Sequence, residues 1–204
     1  MTAANGAKSG SAAGGYTVTI TGDRFDPLTK VTFGSTAATS VTYNDPTSLT
    51  VVVPARPAGV VSVTVTASNG LSATQASAFT YLLTATSVTP AASTMWAGGG
   101  NTIVVTGAGF DSSATATLGG VTAKVTYNSS TQLTITTPAH DAGVVDLVIT
   151  QSGQSATIAN ALTYAHSIRT VTSNAGVTKG GDSISITGVG FGSVIGNISS
   201  VLFG

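Results

Sequence analysis

Two histidines, seven acidic residues and one tryptophan carry most of the chemistry this 204-residue sequence could perform. His140 stands beside Asp141, and a hydrolase would use such a pair with a serine from elsewhere, because triads assemble in space. A solvated loop pair is the plainer reading of the same two residues. His166 lies in the connection Tyr164-Ala165-His166-Ser167, as a linker contact or as an imidazole ligand for a metal. Asp26 and Asp111 follow Phe25 and Phe110 at equivalent positions. With Asp23 and Asp45, Asp26 could offer oxygens to calcium, which takes about six to eight of them. Asp111 has no such company, and an aspartate in a turn commonly bonds its own backbone.

The remaining candidates are weaker in context. Gly98-Gly99-Gly100 and Gly107-Ala108-Gly109 are glycine-rich, but no helix and no Lys-Ser/Thr follows, as phosphate binding requires. Their glycines fit turns that need a positive φ. Trp96, the single tryptophan, either stacks on a sugar or a partner, or sits in a domain junction and sets its angle. Asn128-Ser129-Ser130 and Asn197-Ile198-Ser199 are glycosylation sequons, with meaning only in a eukaryotic secretory route. With no cysteine, disulfides, thiolate metal sites and a cysteine nucleophile are excluded. No residue is assigned a catalytic, cofactor-binding or metal-binding role, no cofactor is expected, and the binding surface stays open.

Composition narrows the partners. Charged residues are 7% of the chain and the net charge is zero, against roughly 25% charged in ordinary globular proteins. All the acids are aspartate. Nucleic acid is not an expected partner, because phosphate binding needs a concentrated basic face. A polybasic membrane patch is missing too. Mean hydropathy is +0.38, but alanine, valine and glycine produce it, and no apolar run reaches the roughly 18 residues of a spanning helix. Met1-Thr2-Ala3-Ala4-Asn5-Gly6-Ala7-Lys8 has no apolar core of a signal peptide.

The elements that position these residues recur. Gly14-Gly15-Tyr16-Thr17-Val18-Thr19-Ile20-Thr21-Gly22-Asp23-Arg24-Phe25 returns as Gly99-Gly100 through Thr106-Gly107-Ala108-Gly109-Phe110. It returns again as Gly180-Gly181 through Thr187-Gly188-Val189-Gly190-Phe191. Phe25 to Phe110 is 85 positions and Phe110 to Phe191 is 81, a period of whole small domains in a row. Within each repeat, apolar and Thr/Ser residues alternate with the period of strands: Val18 and Ile20, Val31 and Phe33, Leu49, Val51 and Val53, then Val61, Val63 and Val65. Pro54 stops one strand and Asn69-Gly70 marks a hairpin. About seven short strands per repeat predict two-sheet sandwiches with Thr/Ser-rich outer faces.

Together the motifs Thr-Gly-x-x-Phe, Val31-Thr32-Phe33-Gly34, Leu49-Thr50-Val51-Val52-Val53-Pro54-Ala55, Ala58-Gly59-Val60-Val61 and Phe79-Thr80-Tyr81 resemble the IPT/TIG immunoglobulin-like domain. The second repeat carries them as Thr106-Gly107-Ala108-Gly109-Phe110, Leu133-Thr134-Ile135-Thr136-Thr137-Pro138-Ala139 and Leu162-Thr163-Tyr164. Asp23-Arg24 replaces a small pair in the first turn, and Leu118 and Leu162 replace aromatics. The resemblance implies an all-β fold of tandem immunoglobulin-like (IPT/TIG) β-sandwiches. The expected parts are an Ala/Gly/Ser-rich flexible leader over 1–13 and a first domain over 14–81 that lacks its lead-in strand. A second domain over 82–164 and the N-terminal part of a third over 165–204 follow.

The chain reaches Val201-Leu202-Phe203-Gly204, the counterpart of Val31-Thr32-Phe33-Gly34. Ile184, Ile186, Phe191, Val201 and Phe203 would then lack half of their core, forfeiting on the order of 10 kcal/mol. Further chain, or strands of a neighbouring subunit, would complete it. The family resemblance implies a mostly non-enzymatic role. Its members include receptor ectodomains, DNA-binding domains, modules of carbohydrate-active enzymes, and arrays on bacterial and phage surfaces. The expectation is a structural or adhesive repeat protein on an external surface, first a virion fibre, tail or decoration component. A bacterial cell-surface stalk or adhesin, and an accessory module of a glycan-active enzyme, are the alternatives. Expected partners are copies of itself or neighbouring structural proteins in an oligomeric assembly, and glycans, without nucleic acid and without membrane insertion.

Overall fold

The computed structural model describes residues 2–4, 8–91, 93–172, 175–192 and 200–202. The first domain contains β1 (Thr2–Ala4), β2 (Ser9–Ser11), β3 (Thr17–Thr21), β4 (Lys30–Phe33), β5 (Thr36–Ala37), β6 (Ser40–Asp45), β7 (Ser48–Val52), β8 (Gly59–Thr66) and β9 (Ser72–Leu82). They form two sheets, ordered β1-β3-β7-β6 and β2-β9-β8-β4-β5. Alternation puts one row of each strand inside. Ile20, Leu49, Val51 and Val53 of one sheet meet Val31, Phe33, Val63, Val65, Phe79 and Tyr81 of the other in a single buried cluster. Phe33, Phe79 and Tyr81 pack edge to face, with centroids 5.1 to 6.3 Å apart.

The second domain repeats the plan with β10 (Thr84–Thr89), β11 (Thr94–Trp96), β12 (Thr102–Ala108), β13 (Thr115–Leu118), β14 (Val121–Ser129), β15 (Gln132–Thr136), β16 (Gly143–Gln151) and β17 (Gln154–Ala165). Here β14 runs unbroken and pairs with both β13 and β15. All eight strands therefore join in one hydrogen-bonded order, β10-β12-β15-β14-β13-β16-β17-β11. In the first domain the same path breaks between β5 and β6. The core is Ile103, Val105, Phe110, Leu118, Leu133, Ile135, Leu147, Ile149, Leu162 and Tyr164 with their neighbours. β18 (Ser167–Thr172) and β19 (Ser185–Val189) then pair antiparallel. Their register shift between Ile168 and Thr170 matches the one between Ala85 and Ser87 in β10–β12.

Two expectations about the N-terminal segment are corrected. Within the expected leader over 1–13, the described residues 2–4 and 9–11 are paired into the sheets, and the first domain does not lack its lead-in. β1 pairs antiparallel with β3, with Thr2 opposite Thr21, and β2 pairs parallel with β9, with Ser9 opposite Thr80. These pairings match β10 with β12 and β11 with β17. They are made by main-chain groups, which Ala, Gly and Ser supply without any apolar alternation. Ala12, which follows β2, is only 2% exposed and belongs to the core.

The recurring Thr-Gly-x-x-Phe has a steric basis. A Cβ built on Gly22, Gly107 or Gly188 would lie 2.6, 2.6 or 2.7 Å from the ring Cζ of Phe25, Phe110 or Phe191. The ring folds back onto the glycine in each repeat, and Phe110 becomes fully buried. Any larger residue at these glycines would displace the ring from the core. Val201 and Leu202, near the end of the sequence, are exposed, while Asn197 and Phe203 lie outside the described residues.

Candidate functional site

The candidate reactive residues are taken up by turns. His140 Nδ1 lies 2.7 Å from the main-chain carbonyl of Asp141, not from its carboxylate. Its ring stacks on Tyr164, with centroids 5.1 Å apart and planes 17° apart. Its Nε2 faces Gly119, where a Cβ would approach to 2.3 Å. Arg56 holds the same place in the first domain. Its Nη1 donates to the carbonyl of Phe33 beneath Gly34 and to Thr36 Oγ1. The two side chains support equivalent turns. Burial pushes the phenols of Tyr164 and Tyr81 above their usual range, Tyr81 further. Tyr164 donates to the carbonyl of Pro138, whereas Tyr81 Oη has no hydrogen-bond partner among the described residues.

The aspartates behave alike. Asp26 accepts the main-chain N–H groups of Ser68 and Leu28, and the Ser68 bond above all holds its carboxyl below the ordinary carboxylate value. Asp45 accepts the hydroxyl and the N–H of Thr47, which lower it in the same way. Asp111 caps its own turn through the N–H and hydroxyl of Ser113. Among the described residues no three histidine, cysteine or acidic side chains group as metal ligands. No helix among them is long and apolar enough to cross a membrane. Asn128 donates to Thr134 Oγ1 at 2.8 Å from an exposed position. Trp96 is 47% exposed, with its ring against Gly98.

The most built feature lies between the domains. The N–H of Ala58, in the loop before β8, donates to the carbonyl of Gly109 in the Phe110 turn, at 2.8 Å. Gln151, only 2% exposed, donates its Nε2 to the same carbonyl at 2.7 Å and accepts the N–H of Asp111 at 2.9 Å. Gln154 reaches the other way. It accepts the N–H of Leu83 and donates to the carbonyl of Tyr81, at 2.9 and 2.8 Å. Every polar atom of these two amides that makes a bond thus fixes the seam or the turn seated in it. Leu83 and Ala58 belong to the second domain's buried cluster, and Ala108 to the first domain's.

Gly109 makes the close approach possible. Its φ is +88°, and a Cβ there would lie 2.6 Å from Ala12 Cβ and 3.1 Å from Ala58 Cβ. The next junction repeats this arrangement. The Ala142 N–H donates to the carbonyl of Gly190 at 3.3 Å. A Cβ on Gly190, with φ +84°, would lie 2.7 Å from Ala97 Cβ and 3.5 Å from Ala142 Cβ. His166 supplies the second donor, its Nδ1–H directed at the Gly190 carbonyl over 2.8 Å, and its ring packs near Phe191. The linker reading of His166 thus describes its contacts. Reading the repeats for what they share passed over Gln151 and Gln154. The signal for them was the difference between repeats: Ala67 and Leu71 hold these positions in the first domain.

The model of the IPT/TIG domain matches residues 6–81 and 83–165, and the chain belongs to the IPT/TIG domain family. Comparison with curated proteins yields no match. Among solved structures, the chain is similar to a surface glycan-binding protein from Prevotella bryantii, at 22% identity and a TM-score of 0.49, over 74% of this chain and 37% of that one. It is also similar to a surface glycan-binding protein from a xyloglucan utilization locus in Bacteroides uniformis, at 23% identity and 0.35, over 73% and 45%. A third is the plexin A4 extracellular region, at 17% identity and 0.38, over 78% and 17%. The chain therefore spans less than half the length of each of these structures.

Proposed function

We propose that this chain is a non-enzymatic structural rod displayed on an external surface, and within that class a component of a virion fibre, tail or decoration. The carrying observation is the joint, built first at Gly109 and again at Gly190. Domains of one chain move relative to one another by default unless a tight interface prevents it. Two closures of one kind favour a spacer that keeps its direction. His140, Asp26, Asp45 and Asp111 serve turns and His166 the second joint, which supports a non-catalytic role. The low-charge, Thr/Ser-rich faces suit packing beside copies of itself or neighbouring structural proteins. Residues 165–204 are, on this reading, the N-terminal part of a third sandwich.

Small-angle scattering of the whole chain tests the rod. An elongated particle with a narrow distribution of shapes is expected, and a broad, flexible distribution overturns the reading. Antibodies against the exposed part of β9 test the location. Labelling of purified virions supports the fibre, whereas labelling of intact cells supports a cell-surface stalk. A second reading, glycan contact by the second domain, rests on the half-exposed Trp96 ring. Retardation of the wild type in a polysaccharide gel, lost in Trp96→Ala, would favour it.

A further inference from the structure

We infer that the fourth position of the Thr-Gly-x-x-Phe turn, Gly109 or Gly190, acts as a stacking connector, and that Arg24 at the same position bars the first domain from being seated in this way. The inference rests on the rod reading and adds which faces join. The trailing pole of each sandwich presents two alanines, Ala12 with Ala58 and Ala97 with Ala142. Their partner is the leading turn of another IPT/TIG sandwich, entering with a bare glycine whose carbonyl accepts the alanine N–H of Ala58 or Ala142. Gly109 and Gly190 meet both requirements, lacking a Cβ and holding positive φ.

The leading turn of the first domain meets neither steric need nor polar support. Arg24 stands where the other turns have glycine and keeps the same left-handed backbone, with φ +61°. Its side chain is exposed. At Gly109 even a Cβ would collide with Ala12 Cβ at 2.6 Å and crowd Ala58 Cβ at 3.1 Å, so an arginine cannot enter the same seat. Ala67 replaces the buried Gln151 that holds the turn carbonyl, and Leu71, 71% exposed, replaces Gln154. Among the described residues, the face that Ala58 and Leu83 cover on the second domain is open on the first. A cleft of about 390 Å³ lies there, lined in part by Arg24, Phe25, Ala67 and Leu71. A sandwich of this kind placed ahead of the first domain would not make this joint. Stacking therefore proceeds in one direction from the first domain.

The test uses the whole chain and three variants. Gly109→Arg copies the first domain's residue into the joint, and Gly109→Ala adds only the colliding Cβ. Gly100→Ala is the control, because its φ of +84° imposes the same backbone strain while nothing lies within 4 Å of its Cβ. The readouts are protease cleavage at Leu82–Thr84 and the spread of interdomain distances between spin labels on the two domains. Both Gly109 variants are expected to cleave at least tenfold faster there and to broaden the distances, while Gly100→Ala matches the wild type. If Gly109→Arg unfolds the second domain, Gly109→Ala against Gly100→Ala decides the matter alone. Equal cleavage and equal distances in those two overturn the connector. A folded Gly109→Arg with an intact joint overturns the role of Arg24. A wild-type chain that is already broad fails the rod reading itself, before any variant is compared.

Discussion

Gln151 shows how one amide can be worth more than its own bonds. It is buried, and it satisfies the Asp111 N–H and the Gly109 carbonyl together. Gln151→Ala strips both and is expected to cost the second domain about 1–3 kcal/mol, the penalty of leaving a buried polar group unpaired. A urea titration of the second domain's unfolding, with its slope unchanged, measures this. Asp26 makes a pH prediction. Its folded carboxyl lies below the ordinary value because the Ser68 N–H binds the charged form. Its contribution is complete above the unfolded carboxylate value of about 4 and fades as pH falls through the folded value. Wild type should therefore lose stability on acidification below about pH 4 more steeply than Asp26→Asn. Parallel acid curves in thermal melts would contradict this.

Among the elements, the N-terminal strands have the largest consequence. β1 and β2 each complete one sheet of the first domain, and Ala12 lines the seat for Gly109. Deleting residues 2–13 bares the edges of β3 and β9 and removes half of that seat. Calorimetry should show the first domain's transition falling by about 4–8 °C for each kcal/mol lost, with cleavage between the domains rising. An unchanged first transition would show that these strands add nothing. The central strands were legible in the sequence because their burial is one-sided: Val18 and Ile20, or Leu133 and Ile135, write the period of two into the chain. Thr-Gly-x-x-Phe was legible because the ring fills the space of a missing Cβ in every repeat. β1 and β2 were not legible, since main-chain pairing leaves no pattern in Ala, Gly and Ser. The joint was hidden for another reason. Its determinants, Gly109 against Arg24 and Gln151 against Ala67, are departures from the repeat, and a repeat is recognised by what it keeps.

At the scale of the molecule, the joints use amides, main-chain carbonyls and small side chains. No charged pair holds the first seam among its described contacts. With a net charge of zero, little long-range repulsion or attraction acts along the chain. Its shape should therefore be independent of salt. Scattering curves at about 0.05 M and 1 M NaCl, where the Debye length falls from above 10 Å to about 3 Å, are expected to superimpose. A particle that lengthens or collapses between them would show that charge sets its form. Membership of the IPT/TIG family explains the repeated sandwich, but the proposed stiffness belongs to the seams and to the few residues that differ between copies.

Those seams also leave no slack. β9 ends at Leu82 and β10 begins at Thr84, while β17 ends at Ala165 and β18 begins at Ser167. One residue spans at most about 3.6 Å, so a pull on the chain passes almost directly from one sandwich into the next. Inside the second sandwich the tension meets β11 and β17, which run parallel and whose hydrogen bonds lie side by side along the line of force. They must shear together rather than open one at a time. A single molecule held between a surface and a moving tip would stay taut from the first nanometre and then yield abruptly, at a force governed by the rate of unfolding and not by its equilibrium.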